Sequence, residues 1–332
     1  MFSPHARHAA LAASATALVL LLAGCSQPGD GKASSGSGKS EKADPDAGNE
    51  PAIGAVPALL ESRTLVFPLA PYTPNGRQLA VLDEAQDVLI DQCMQRYGFR
   101  FQQRRRAETA PKQDDSRRYG ISDPAEAAQS GYTNPQLGRG SKPQQQSRGA
   151  NEKLVLNGLE VDPSLQVPMN QEEAEKSDVA TTVVGGQKVP AGGCLRESAL
   201  KLFTPTKDTV DTMVAQGYGL EAYGRAQKDS RVVAATKAWS ECMGKRGYAG
   251  FTDPTGLPPG IDDSNIGSPQ AITMATQDVA CKKESNLVGI WYTVEVAYQQ
   301  RAIERNAETL DLAKKQLDER MKLAAQLQAS GA

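Results

Sequence analysis

The segment Asp91-Gln-Cys-Met-Gln-Arg-Tyr-Gly-Phe99 has a counterpart later in the chain, Ser240-Glu-Cys-Met-Gly-Lys-Arg-Gly-Tyr248. Both contain Cys-Met, then three further residues, a glycine and an aromatic residue. A second motif, Cys-x-x-Glu-Ser, occurs as Cys194-Leu-Arg-Glu-Ser198 and as Cys281-Lys-Lys-Glu-Ser285. Because the two motifs alternate along the chain, the sequence indicates a degenerate two-fold repeat.

The Cys-Met motif predicts how two helices end. If Gly98 follows a helix in the left-handed conformation that glycine tolerates, Met94 and Phe99 take the positions whose side chains touch in a Schellman cap. The second copy fits the same frame, so the predicted cap residues are Met94, Gly98, Phe99, Met243, Gly247 and Tyr248. The segment Met213-Val-Ala-Gln-Gly-Tyr218 fits the frame as well, without a cysteine.

The N-terminal residues predict export and lipidation. An apolar run, Ala9 to Ala23, follows a start that carries Arg7 and no acid. The run is too short to span a bilayer comfortably but has the length of a signal-peptide core. It ends in Leu22-Ala-Gly-Cys25, which resembles the lipobox of bacterial lipoproteins. In that family the signal peptide, here residues 1–24, is removed and the cysteine carries the anchoring acyl chains. An ordinary signal peptide with a chance cysteine is the alternative.

The residues after Cys25 divide into a tether and a domain. Ser26 to Gly54 is rich in small, charged and proline residues and has almost no large apolar side chain, so it predicts a disordered tether over about residues 25–56. Residues 57–332 then form the domain. Its first repeat covers about residues 65–204 and its second about residues 205–330.

The four remaining cysteines predict two disulfides, because an even cysteine count is typical of exported chains. Of the three possible pairings, the simplest joins the two motifs within each repeat, Cys93 with Cys194 and Cys242 with Cys281. The chain-entropy estimate assigns each bridge roughly 4 kcal/mol. A redox or metal role would need closely spaced thiols, as in Cys-x-x-Cys, which the sequence lacks.

Helical periodicity and capping residues predict a mainly α-helical domain. The expected helices cover residues 75–97, 124–130, 194–203, 207–216 and 225–246. From Pro269 to about Gln328 the sequence predicts one or two long helices. Apolar residues from Ile303 to Ala324 follow a short heptad pattern, with Lys314 in the seam. This face either packs on its own domain or forms a coiled-coil arm for another subunit.

Residues 133–191 differ in composition from the rest of the domain. Many Pro, Gly and Gln residues with weak periodicity predict an extended loop insertion, with short strands around 153–155 and 181–184. So long a loop within a compact domain is unusual. The insertion is either a functional surface or a tolerated extension.

Composition excludes several function classes. The only histidines, His5 and His8, lie in the signal peptide, so the mature chain can use neither Ser-His-Asp nor Cys-His catalysis, and it has no histidine for a metal. Without Arg7 there are 36 basic residues against 39 acidic ones, and no basic face is evident, so no nucleic-acid partner is expected. We expect no cofactor and no metal site.

No catalytic motif is found, and the acids of the repeat are expected to be structural. Glu197 and Glu284 recur in the Cys-x-x-Glu-Ser motif and would suit a carboxylate pair of a wall-degrading enzyme. Each lies one turn from its cysteine, so pairing with a nearby Arg or Lys is the preferred interpretation.

The lipobox at Cys25, the Ser/Gly-rich tether and the two Cys-Met-x3-Gly-aromatic helix ends resemble a broad group of secreted actinobacterial lipoproteins. The resemblance implies a lipid-anchored protein at the extracytoplasmic face of the cell membrane and supplies no active site. The leading hypothesis is therefore a non-enzymatic accessory or protein-interaction component of the cell envelope. A solute-binding lipoprotein and a histidine-free enzyme acting on the cell wall are the alternatives.

Overall fold

A computed structural model of the chain describes residues 49–59, 62–63, 65–101, 115–134, 148–159 and 166–331. Within these ranges the protein is mainly helical, as predicted, with one two-stranded hairpin. The helices are α1 Gly76–Gln95, α2 Pro124–Ser130, α3 Ala150–Asn157, α4 Gln171–Lys176, α5 Gly193–Phe203, α6 Val214–Lys228, α7 Ser230–Lys245, α8 Pro269–Glu284, α9 Leu287–Arg305 and α10 Ala307–Gly331. Strands β1 Ala180–Val184 and β2 Gln187–Pro190 pair antiparallel.

The predicted lipidation residue Cys25 and the predicted tether as far as Gly48 lie outside the described residues. The end of the predicted tether is wrong, because residues 49–56 lie against the helices and belong to the compact unit that starts at Asn49. The Glu50 carboxylate accepts hydrogen bonds from the N–H and hydroxyl of Ser230, at 2.6 and 2.7 Å, where α7 begins. The Pro51 carbonyl accepts one from Arg231 at 3.0 Å. The boundary was predicted from the lack of large apolar side chains, and that criterion does not detect polar contacts such as these.

Helix α1 begins and packs as its sequence predicts. Asn75 caps it with a capping box, in which its side chain and that of Gln78 each accept a backbone N–H of the other residue. The buried face of α1 carries Leu82, Ala85 and Leu89 and packs against α5 and α10.

Both predicted helix caps are present. In the first repeat the Phe99 N–H donates to the Met94 carbonyl at 3.1 Å, and the Gly98 N–H donates to the Gln95 carbonyl at 3.0 Å. These are the two hydrogen bonds of a Schellman motif, and Gly98 has the left-handed φ of 77° that the motif requires.

The second repeat forms the same cap. The Tyr248 N–H donates to Met243 at 2.9 Å, the Gly247 N–H donates to Gly244 at 3.1 Å, and φ of Gly247 is 89°. The third expected helix end, at Gly217 and Tyr218, is wrong because both residues lie inside α6. Packing of one face of α6 against α9 outweighs the cost of about 1 kcal/mol for a glycine in a helix.

We expect Gly98→Ala and Gly247→Ala each to lower the free energy of unfolding by about 1 kcal/mol. A Cβ at either position meets nothing within 4 Å, so the whole cost is that of the left-handed backbone. Gly244→Ala is the matched control, since this glycine is helical and a Cβ there also meets nothing. The control should be neutral or stabilising in urea unfolding. Equal destabilisation by all three substitutions would contradict the cap assignment.

The predicted helices at 207–216 and 225–246 need correction. The segment before α6 forms turns, because the Gln316 side chain on α10 binds its backbone, accepting from Val210 N–H at 2.9 Å and donating to the Asp208 carbonyl at 3.1 Å. The second helix is divided at Asp229, whose extended backbone ends α6 and whose carboxylate caps α7 through the Arg231 N–H.

The C-terminal segment forms three helices, α8, α9 and α10, instead of the predicted one or two. The first break is at Asn286, which has a left-handed φ of 48°. Its side chain accepts from the Leu59 N–H at 3.2 Å and donates to the Pro57 carbonyl at 3.0 Å. A Cβ at Gly289 would lie 2.1 Å from the Pro57 carbonyl oxygen, so the N-terminal segment around Pro57 approaches α9 closely.

The heptad face of α10 is covered by the chain's own α1. Leu317 and Ala324 are buried with the apolar face of α1, and Lys314 is exposed. This is the first of the two interpretations of that face, packing on its own domain.

The largest core cluster surrounds the two tryptophans. Trp239 on α7 and Trp291 on α9 are buried, at 0% and 1% exposure, among side chains from α6 to α9. A smaller cluster encloses Cys93 and Cys194 with Val155 and Val189. Each disulfide therefore lies in its own apolar cluster, and the larger cluster also takes in Tyr119 and Ile121 from the first repeat.

The insertion 133–191 folds against the first repeat over the residues described. The strand expected at 153–155 is wrong, because these residues lie in α3, where Val155 and Leu156 are buried. Helix α3 packs against α1 and α5, and its buried side chains follow the spacing of a helix instead of the alternation of a strand. The strand expected at 181–184 is confirmed as β1.

Candidate functional site

Each repeat contains the predicted disulfide. Cys93 is joined to Cys194 and Cys242 to Cys281, with Cα–Cα distances of 5.6 Å in both. All four cysteines are at most 7% exposed. The bridges are therefore buried, and they connect the last turn of α1 to the first turn of α5 and the last turn of α7 to the last turn of α8.

An ion pair accompanies each disulfide, as expected for the two repeated glutamates. Glu197 accepts from Arg96 and from Lys201, the latter at 2.6 Å. Glu284 accepts from Arg246 at 3.1 Å. The arginines were not singled out from the sequence, because they occupy different positions within the Cys-Met motif. The two glutamates serve separate ion pairs.

A cleft of about 460 Å³ lies beside the first of these ion pairs. One wall is α5, and the other consists of α4 and the hairpin β1–β2. The end of α1 also lines it, and the Tyr97 hydroxyl there donates to the Lys188 carbonyl at 2.6 Å, tying the hairpin to α1. Leu200 and Ala191 supply buried apolar surface. The insertion thus contributes one side of this cleft.

Two glycines place α5 within this cleft. Gly192 and Gly193 precede Cys194 with φ of 75° and 64°. A Cβ at Gly193 would lie 2.4 Å from the Gly158 nitrogen, where α3 ends. Only glycine permits this approach of α3 to the start of α5.

The α5 wall carries an excess of positive charge. Arg96, Arg196 and Lys201 surround the single carboxylate of Glu197 on this wall. The aliphatic part of the Arg196 side chain passes over Gly192, and a Cβ on this glycine would lie 2.7 Å from it. The Nη2 atom of Arg196 donates to the Pro168 carbonyl at 2.6 Å. No carboxylate among the described residues forms an ion pair with Arg196. Its guanidinium is therefore held by a carbonyl group, and no carboxylate of the described residues neutralises it.

Polar atoms without partners concentrate at this cleft. In the described part of the chain, four buried side-chain nitrogen or oxygen atoms have no hydrogen-bond partner. Two of the four belong to residues that line the cleft, Arg196 with its Nε and Gln171 with its Oε1. Since buried polar groups are normally hydrogen-bonded, such atoms commonly indicate a missing water, ion or ligand.

Glu197 is held in its ionised form. Burial alone would raise its pKa, but the hydrogen bonds from Lys201 and Arg96 outweigh burial and lower the pKa of this carboxyl below its ordinary value. A carboxyl with a lowered pKa is a poor general acid at neutral pH. The side chain therefore suits an electrostatic role in the cleft.

We expect Glu197→Gln to destabilise the domain by about 2 kcal/mol at neutral pH, the scale of hydrogen bonds to a charged group. Because the folded pKa lies below the unfolded one, this stabilisation is present above pH about 4.5 and is lost as the pH falls through the folded pKa. Urea unfolding of both proteins between pH 7 and pH 3 should therefore show the difference narrowing with acid. Glu284→Gln, at a side chain that is 66% exposed, is the control and should change little. A pH-independent difference would contradict the assignment.

Two buried charge clusters lie outside the cleft. Asp278 accepts from Trp239 Nε1 at 2.8 Å and pairs with Lys282 at 3.3 Å. Lys282 also donates to the carbonyls of Ile121 and Pro254, at 2.9 and 2.7 Å. A Cβ at Gly120 would lie 1.8 Å from the Pro254 oxygen, so the loops meet closely around this lysine.

The second cluster is centred on Glu295, which has 0% exposure. It receives hydrogen bonds from the guanidinium of Arg118, from the Tyr119 hydroxyl at 2.8 Å and from the Gln299 amide at 2.8 Å. Burial and the negative charge of Glu295 raise the pKa of Tyr119. In both clusters the charged groups are hydrogen-bonded to fixed partners, so we assign them to joining helices and loops.

No group of three or more His, Cys, Asp and Glu side chains among the described residues could hold a metal ion. Among the helices that the structure describes, none combines the length and the apolar character needed to cross a membrane.

The described residues form a mainly α-helical domain that is braced by two disulfides. A comparison with protein-family models, with curated proteins and with solved structures found no match to this chain.

Proposed function

We propose that the protein is an exported lipoprotein, acylated at Cys25 and held at the extracytoplasmic face of the cell membrane. Its domain would act there as a non-enzymatic accessory or protein-interaction component of the envelope. The observation that carries the proposal is the pair of buried disulfides, one in each repeat. Structural disulfides persist in oxidising compartments and are rare in the cytosol. The lipobox-like sequence at Cys25 supplies the expected means of attachment.

The chemistry of the mature chain supports a non-enzymatic role. Both histidines lie before Cys25. The two repeated glutamates, Glu197 and Glu284, are engaged in separate ion pairs with Arg96 and Arg246. These glutamates are therefore poor candidates for a catalytic carboxylate pair.

Crosslinking in the native cells tests this proposal. The full chain is crosslinked, purified and analysed by mass spectrometry, with Cys25→Ser as the control that cannot be acylated. We expect a single envelope protein in near-stoichiometric yield with the wild type and its loss with the control. Labelling with palmitate should follow the same pattern. A wild-type protein that takes up no label would overturn the anchor, and labelled protein without any partner would overturn the interaction role.

A solute-binding lipoprotein is the second candidate, and the cleft between α4, the hairpin and α5 favours it. Ligand sites commonly occupy clefts of about 300–1,000 Å³, with a few placed polar groups on an apolar lining. The cleft of about 460 Å³ combines Leu200 and Ala191 with the fixed guanidinium of Arg196. Thermal-shift measurements with a panel of metabolites test this candidate, and an unchanged melting temperature across the panel counts against it.

A further inference from the structure

The α5 wall of the cleft provides a place for a negatively charged group. Arg196 is fixed by Gly192 and the Pro168 carbonyl, and it has no carboxylate partner among the described residues. Arg96 and Lys201 share one carboxylate, Glu197. A guanidinium presents parallel N–H groups that match a carboxylate, so an incoming carboxylate is the anion that this wall suits.

The α4 wall provides a place for a hydrogen-bond donor. Gln171 Oε1 is an acceptor without a donor, while its own amide nitrogen donates to Glu175 at 3.0 Å. Glu175 is exposed and adds negative charge on the same wall. This wall therefore suits an ammonium or amide N–H, the opposite of what the α5 wall suits.

Helix α4 is short and is joined at its first residues to the chain that follows α5. Gln171 Oε1 and Arg196 Nε are both buried, and α4 is only six residues long. Its first two N–H groups donate to the carbonyls of Thr204 and Pro205, just after α5. Extended residues flank it on both sides, Asn170 before and Ser177 after.

We infer that the cleft binds a small ligand carrying a carboxylate beside an N–H donor, with the carboxylate at Arg196 and the donor at Gln171. A free amino acid and the C-terminal end of a short peptide share this chemistry. The apolar surface of Leu200 and Ala191 would contact a small aliphatic side chain. The inference rests on the second candidate function, solute binding, and is independent of acylation at Cys25.

Isothermal titration calorimetry with the full chain in detergent tests the inference. The probes are L-alanine, L-alanyl-L-alanine, L-alaninamide, which lacks the carboxylate, and acetate, which lacks the N–H donor. We expect alanine or the dipeptide to bind. Alaninamide and acetate should bind at least about tenfold more weakly, because each loses a hydrogen bond to a charged group. The tighter of alanine and the dipeptide identifies the source, a free amino acid or a peptide end.

Variants separate the two walls. Arg196→Gln should weaken binding of the tighter probe about tenfold or more, whereas Arg246→Gln, which removes the corresponding arginine of the second repeat, should leave it unchanged. Gln171→Leu should weaken alanine and the dipeptide but not acetate. If Arg196→Gln does not fold, Arg196→Lys keeps the charge without the planar fork and should still weaken binding measurably.

The inference is overturned if neither alanine nor the dipeptide binds, if alaninamide binds as tightly as alanine, or if the Arg196 variants bind like the wild type. Palmitate labelling of the same preparation distinguishes this failure from that of the anchor. A labelled chain that binds no probe would support the lipoprotein proposal and overturn the ligand inference. An unlabelled chain that binds a probe would support the ligand inference and overturn the lipid anchor.

Discussion

Reduction of both disulfides is expected to lower the melting temperature of the domain by about 15 °C or more. The bridges join residues separated by 101 and 39 positions. Opening loops of these lengths restores about 4–5 kcal/mol of unfolded-state freedom each, and about 1 kcal/mol moves the melting temperature of a domain of this size by 2–4 °C. Calorimetry with and without reductant, with a thiol assay to confirm reduction, measures the effect.

Paired serine variants divide the effect between the repeats. Cys93→Ser with Cys194→Ser opens the longer loop and should cost slightly more than Cys242→Ser with Cys281→Ser, since loop entropy grows slowly with length. Cys25→Ser serves as a control because it removes no bridge and should leave the melting temperature unchanged. A fully reduced protein that melts at the oxidised temperature would contradict the role of the disulfides as staples.

Glu295→Ala is expected to lower the free energy of unfolding by about 3–5 kcal/mol, the usual cost of removing one partner from a buried ion pair. The carboxylate is fully buried, and its removal deprives Arg118, Tyr119 and Gln299 of their shared acceptor. Arg118 also lies over the ring of Phe67, at 4.5 Å from its centre, which restricts where its charged end can move.

Urea unfolding at neutral pH compares this variant with Glu304→Ala, an exposed glutamate on the same helix α9. The control should change stability by less than about 0.5 kcal/mol, as surface substitutions usually do. Similar effects of the two substitutions would show that the Glu295 cluster contributes nothing beyond helix α9 itself.

The elements predicted from the sequence are those determined by neighbouring residues. The capping box at Asn75, the start of α2 at Asp123 and the glycine caps at Gly98 and Gly247 each depend on a few adjacent positions. The disulfide pairing followed from the alternation of two motifs. Each of these features is encoded by neighbouring residues or by a repeated motif, so it can be predicted from a single sequence.

The elements that were mispredicted depend on distant contacts. Asn286 takes a left-handed conformation because Pro57 and Leu59 bind its side chain, and those residues are far away in the chain. The turn before α6 depends on Gln316 of α10. Periodicity treats both segments as helical because it does not register either contact.

The candidate site was only partly predictable. Composition identified the insertion 133–191 as a candidate functional surface, and the repeated Cys-x-x-Glu-Ser motif identified Glu197. The cleft itself depends on how α4 and the hairpin are folded back onto α5, and Arg196 gains significance only from Gly192 and Pro168 beside it. The spacing of residues in the sequence predicts neither the packing of α4 and the hairpin on α5 nor the contacts of Arg196.

Intact-mass analysis of the protein purified from its own membranes, followed by disulfide mapping, tests acylation and both bridges in one experiment. We expect a chain that begins at Cys25, carries the added mass of acyl chains, and contains only the bridges Cys93–Cys194 and Cys242–Cys281. A chain that retains residues 1–24 without acyl mass, or whose four domain cysteines are free thiols, would contradict this expectation.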